Sequence, residues 1–194
     1  MDINDIKWLR EQTGAGIMEA RKALQDADGD REKAKLLLAQ RGAAGAAKRA
    51  GRVASQGLVE AYIHAGGQLG VIVELDSETD FVARMPEFKQ LAREIAMQVA
   101  ATNPRYVTIE EIPEDEAARM KAVFREEAIK DGKEKFADKI AEGQFQKLAK
   151  EWALLEQPHI RDDTRTIKQL VHELAAKTRE NIIVRRFARF QIGG

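Results

Sequence analysis

Three acids, Asp76, Glu78 and Asp80, alternate ahead of Glu87 and so imitate the first and last ligands of a calcium loop. Such a loop needs glycine at its sixth position and a helix before it. Here the sixth residue is Phe81 and a strand-like run precedes it, so calcium chemistry is not expected. The histidines, His64, His159 and His172, have no companions at metal-ligand spacing. The TGAG at 13–16 lacks the lysine of a phosphate-binding loop and follows a helical pattern where a strand is required, so it reads as a break between helices. The chain has no cysteine, which excludes disulfides, thiolate nucleophiles and cysteine zinc sites. No Ser–His–Asp arrangement and no glycine-rich nucleotide fingerprint is present, so neither an enzyme, a resident cofactor nor a metal is expected.

The residues that do raise a chemical question are SETDFVARMPEF at 77–88. Asp80 and Phe81 stand side by side between a strand-like GVIVELD and a helix-like PEFKQLAREIAMQVA. In one reading Phe81 tucks into its own core at a strand-to-helix turn. In the other it is an anchor for a pocket on a partner. The residue types alone leave both open.

The elements that must position this turn follow from periodicity. Ile3, Ile6 and Leu9, then Ile17, Ala20, Ala23, Leu24 and Ala27, then Ala34, Leu37 and Leu38 mark three short helices in the first 41 residues, with Asp30 as an N-cap and Gly42 as a stop. The stretch 42–56 is rich in Ala, Gly and cations (Lys48, Arg49, Arg52) and reads as a partly helical, solvated linker. Val59, Ala61 and Ile63 alternate with Glu60, Tyr62 and His64, AGGQ makes a turn, and Val71, Val73 and Leu75 continue the alternation. This predicts a hairpin. Two strands are marginal alone, so the alternating NIIVRRFARFQI near the C-terminus is expected to add a third. Phe88, Leu91, Ala92, Ile95, Ala96 and Val99 form one apolar helical stripe, and Ile167, Leu170, Val171, Leu174 and Ala175 another; both are expected on the sheet. The charge-rich middle, about 114–156, predicts a protruding helical hairpin.

The expected class is therefore α+β: a three-helix N-terminal module at 1–41, a linker at 42–56, and a domain at 57–194 with a three-stranded antiparallel sheet covered by helices. Apolar residues on both faces of the last strand leave one sheet face wet, and no second sheet is encoded to cover it. A homodimer is the expected consequence. Across the 194 residues, Lys+Arg and Asp+Glu are equal at 32 each, which argues against nucleic acid as the main ligand. Arg185, Arg186, Arg189 and the linker cations are the residues on which an RNA-binding reading would rest. No run approaches the roughly 20 apolar residues that span a bilayer, and MDINDIKWLR is unlike a signal peptide, so a cytoplasmic protein without membrane contact is expected.

LREQTGAGIMEARKAL at 9–24 and ETDFVAR at 78–84 resemble the two signatures of the bacterial elongation factor Ts family, and the resemblance continues through ENIIVRRFARF. It implies a nucleotide exchange factor for elongation factor Tu. By that resemblance, residues 1–41 are a ubiquitin-associated-like module that docks on the GTPase near Ile17 and Met18. Thr79, Asp80, Phe81 and Val82 are the loop that disturbs the magnesium and phosphate region, with Phe81 as the wedge. His64, at the sheet edge, is a further contact. Longer members carry two related sheet subdomains where this chain has one, so it resembles the short form, in which two chains supply the two halves. An interaction module without exchange activity is the alternative.

Overall fold

The computed structural model describes residues 2–13, 15–49 and 51–193, with side chains at 43, 46 and 47 excepted. Gly14, inside the expected helix break, lies outside the described residues. The helices are α1 (Ile3–Thr13), α2 (Ile17–Asp26), α3 (Arg31–Arg49), α4 (Asp80–Ala83), α5 (Pro86–Thr102), α6 (Glu114–Lys130), α7 (Ala137–Trp152) and α8 (Ile167–Thr178). The strands are β1 (Gln56–Ile63), β2 (Leu69–Ser77), β3 (Pro158–His159), β4 (Asp162–Thr166) and β5 (Ile183–Gln191). β1, β2 and β5 form an antiparallel sheet in the order β1-β2-β5, which confirms that the C-terminal strand joins the hairpin. The chain divides into two compact units, one of Met1–Glu60, Glu74–Arg93 and Gln169–Arg185, the other of Ala61–Val73, Glu94–Lys168 and Arg186–Gly194.

In the first unit, α1, α2 and α3 close around Leu9, Ala20, Ala23, Leu24, Ala27 and Ala34, with Ile6, Trp8, Leu37 and Leu38 against them. The alanines let the helices approach closely, which is how so short a segment assembles a core. Asp30 is the N-cap it was expected to be: its carboxylate accepts from the Lys33 amide at 3.0 Å. Helix α3 does not stop at Gly42 as predicted but runs through Gly42 and Gly45 to Arg49. Each glycine costs only about 1 kcal/mol in a helix, and the surrounding alanines are the best helix formers. Gly57 in β1 has φ +150°, and a Cβ there would lie 2.3 Å from the Leu75 carbonyl oxygen of β2, so only glycine permits this pairing. The first turns of α5 bury Phe88, Leu91 and Ala92, and α8 buries Val171, Leu174 and Ala175. Arg93 of α5 pairs with Glu60 of β1 at 3.3 Å, which places α5 on the Glu60 face of that strand.

In the second unit the hairpin turns through Gly66 and Gly67, both with positive φ, and the His64 amide donates to the Leu69 carbonyl at 2.8 Å. Arg189 of β5 donates to the Ala100 carbonyl of α5 at 3.4 Å, so α5 covers that face of β5 too. The opposite face carries Ala61, Ile63, Ile72, Ala188 and Phe190, all exposed. Helices α6 and α7 form the expected hairpin around Ile112, Phe145 and Ala149, with Met120, Phe124 and Trp152 packed on them. Its base is fixed by Arg105, which stacks on Trp152 at 4.2 Å and pairs with Glu116 at 2.6 Å. The Tyr106 hydroxyl donates to the same carboxylate, holding the Glu116 carboxyl below its usual pKa and raising that of Tyr106. The small β3–β4 pair was not expected. It is secured by Gln98, whose buried amide donates to Gln157 and the Pro158 carbonyl, both at 3.1 Å, and accepts from the Ile160 amide at 2.9 Å.

Candidate partner-binding loop

Strand β2 ends at Ser77, whose hydroxyl donates forward to the Thr79 carbonyl at 2.9 Å. Thr79 then adopts extended geometry (φ −125°, ψ 155°) and its hydroxyl accepts from the Val82 amide at 3.5 Å, which makes it the N-cap of α4. That helix is a single turn of four residues. Asp80 opens it and pairs with Arg84 one turn later at 2.7 Å. Pro86 begins α5, where its missing N–H and fixed φ suit the first helical position.

Helical geometry decides the fate of the three apolar side chains. Val82 and Ala83 turn inward, leaving 7% and 6% of their surfaces exposed, and Phe81, next to them, is 80% exposed. The reading in which Phe81 fills its own core is thus excluded. Val82 is named with the loop by family resemblance, yet here it is a buried support for the turn.

The loop is clasped from the segment between α8 and β5. One oxygen of Glu180 accepts from the Glu78 and Thr79 amides, each at 3.1 Å, and the other accepts from the Thr79 hydroxyl at 2.6 Å. In return, the Glu78 carboxylate accepts from the Asn181 amide at 2.6 Å and from Arg52 at 3.4 Å. Asn181 Nδ2 donates to the Arg52 carbonyl at 2.9 Å. In the sequence, Arg52 stands only among the linker cations and Glu180 and Asn181 only at the head of ENIIVRRFARF, with no part in the loop assigned to them. The signal for Glu180 is its place at the head of ENIIVRRFARF, shortly before β5; no local pattern reveals its pairing with a loop about 100 residues earlier.

The remaining predicted contacts lie elsewhere. Ile17 and Met18 open α2, and Met18 is 72% exposed. His64 directly follows the edge strand β1, in the second unit, exposed, with Nδ1 2.9 Å from the Tyr62 hydroxyl. Near the loop, Glu87 has its carboxyl held below the usual range by a hydrogen bond from Lys177 at 2.7 Å. Among the described residues no group of three His, Asp or Glu side chains is arranged to hold a metal ion. No described helix is long and apolar enough to cross a membrane. An exposed aromatic on a braced turn is chemistry suited to recognition.

Residues 19–194 match the family model described as Elongation factor TS. The chain is 52% identical over 189 residues to the elongation factor Ts of Heliobacterium modesticaldum, covering 97% of this chain and 88% of that protein. It is 51% identical to that of Coprothermobacter proteolyticus, covering 97% and 96% of the two chains. With the Moorella thermoacetica protein it shares 51% over 190 residues, 97% and 94% of the two lengths. The similarity covers most of each chain, and the family match at 19–194 includes the clasped loop and β5. The chain belongs to the elongation factor Ts family.

Proposed function

We propose that the chain is a guanine nucleotide exchange factor for elongation factor Tu, acting in the cytoplasm during translation elongation. It makes and breaks no covalent bond, and so is not an enzyme in its own right. The observation that carries this reading is Phe81, exposed on a turn that the chain itself holds in place, in a member of this family. A nucleotide held at nanomolar affinity represents roughly 12 kcal/mol, so release cannot come from competition at the same pocket. It must come from coupling. A factor that binds the empty GTPase more tightly than the loaded one weakens the nucleotide by the same factor.

In this mechanism Phe81 inserts between helices of the GTPase, with Asp80 beside it, and disturbs the magnesium and phosphate region. Burying one Phe side chain supplies about 1.5 to 3 kcal/mol, enough to hold a displaced helix but far less than the nucleotide. Other contacts must share the work. Residues 1–41 dock as a module through Ile17 and Met18, His64 touches a second site on the GTPase, and the domain at 57–194 carries the loop. Direct nucleic-acid binding is no part of the reading, given the equal count of acidic and basic residues.

A homodimer is part of the same proposal. Ile63, Ile72, Phe190 and Ile192 line a groove on the uncovered sheet face, and Phe190 and Ile192 are 68% and 73% exposed. A second copy, presenting the same face across a two-fold axis, would cover it. Stopped-flow release of fluorescent GDP from elongation factor Tu tests the central claim. Acceleration by the native chain, with loss of it in Phe81→Ala, supports the wedge; complex formation without acceleration would leave a binding module.

A further inference from the structure

We propose that Glu180 is the positioning residue of the exchange loop, acting on the GTPase only through Phe81; this rests on the exchange reading above. The physical need is plain. A helix of one turn cannot hold itself, because nucleation fixes several residues for a single hydrogen bond. Helix α4 has four residues, and the segment before it has left the sheet. Its backbone donors must be taken by something other than a strand.

Glu180 takes them. One carboxylate oxygen accepts from the two successive amides of Glu78 and Thr79, and the second accepts the hydroxyl proton of Thr79. A hydroxyl has one proton and two lone pairs, so committing the proton to Glu180 turns a lone pair toward the Val82 amide. The carboxylate thereby sets the N-cap, the cap sets the turn, and the turn sets the direction of Phe81. An ionised acceptor makes each of these bonds stronger than a neutral one.

The opposite strut is built just as deliberately. Helix α8 ends at Thr178, and Arg179 adopts a left-handed conformation (φ 61°) that is uncommon for a residue other than glycine. That reversal delivers Glu180 to the loop, and Arg52 braces it by donating to the Arg179 carbonyl at 3.3 Å. Glu78 then returns the grip on Asn181. The two segments hold each other by reciprocal carboxylate-to-amide bonds, a rigid mount directly behind an exposed aromatic.

If Glu180 positions Phe81, its loss acts at the displacement step and leaves initial docking intact. In the full chain, Glu180→Ala is expected to lower the saturating rate of GDP release about tenfold. The half-saturating concentration should stay within about twofold. Glu180→Gln retains an acceptor for the two amides but not for the Thr79 hydroxyl proton, and should give a rate between those of Glu180→Ala and the native chain. Once Phe81 is gone the mount has nothing to aim, so Phe81→Ala combined with Glu180→Ala should match Phe81→Ala alone within about twofold. Amide hydrogen exchange of the free protein reads the clasp without any GTPase: Glu78 and Thr79 should lose protection in Glu180→Ala. Additive losses in the double variant would overturn the proposal in favour of a general structural role. So would an unchanged rate with protection lost, while leaving the exchange reading standing. Failure of the native chain to accelerate release at all would overturn the exchange reading, and this proposal with it.

Discussion

Phe88 is completely buried in α5, whereas Phe81, on the turn that leads into that helix, keeps 80% of its surface in water. Phe88 belongs to a stripe with Leu91, Ala92 and Ile95, where helical spacing stacks each side chain on the next. Phe81 shares a single turn with Val82 and Ala83, and those two already occupy its inward positions. Leaving a Phe exposed forgoes about 1.5 to 3 kcal/mol of burial. The polar clasp behind it holds the turn's backbone by hydrogen bonds from Glu78 and Thr79 to Glu180. The contrast separates a residue that makes the fold from one that the fold displays.

The strongest test of that separation is at the buried partner. Phe88→Ala should cost about 3 to 5 kcal/mol, as large core truncations do, and urea unfolding monitored by circular dichroism will read it. A loss under about 1 kcal/mol would mean that the core is far more forgiving than its burial implies. Phe81→Ala should leave urea unfolding within about 0.5 kcal/mol of native. It should slow saturated GDP release from elongation factor Tu by about ten- to a hundredfold, the rate equivalent of one buried Phe. A thermal midpoint that falls with activity would erase the distinction between the two residues.

A third phenylalanine sharpens the comparison. Phe190 is exposed like Phe81, but it lies in a broad apolar face with Ile63, Ile72 and Ile192, where area and not aim is the resource. Phe190→Asp should convert a dimer into monomers in sedimentation experiments at micromolar concentration while preserving helix content. A native chain that sediments as a monomer would remove the dimer from the proposal. The smallest effect concerns the other carboxylate clasp, at the base of the α6–α7 hairpin. Because the Tyr106 hydrogen bond lowers the folded pKa of Glu116, its contribution is present above the ordinary value of 4.5 and is lost as pH falls through the folded one. The native thermal midpoint should therefore drop more steeply than that of Glu116→Gln between about pH 6 and pH 3. Equal slopes would show that this carboxylate is not coupled to stability.

Long periodic segments were legible from sequence because their own residues specify them. The stripe of α5, the AGGQ turn and the alternation of NIIVRRFARFQI required no knowledge of a partner segment. Asp30 announced the start of α3 in the same local way. The end of α3 was not legible, since Gly42 and Gly45 weaken a helix without stopping it when alanines surround them. The β3–β4 pair escaped because PH and DDTRT have no apolar alternation; they are ordered by Gln98, from a distant helix. In the site, the sequence located Phe81 but left its direction open between core and partner. What settles the direction is Val82 taking the buried slot and Glu180 holding the cap, both tertiary facts.

The pairing of Arg105 with Trp152 carries an experimental convenience. The chain has two tryptophans, and the other, Trp8, sits in the α1–α3 core with Arg31 5.5 Å above its ring. Each indole therefore faces a guanidinium whose departure would shift its emission. With Trp8→Phe or Trp152→Phe in hand, fluorescence becomes a local signal for one region of the chain at a time. The hairpin and the N-terminal helices could then be followed separately, with no dye attached, as the GTPase binds and lets its nucleotide go.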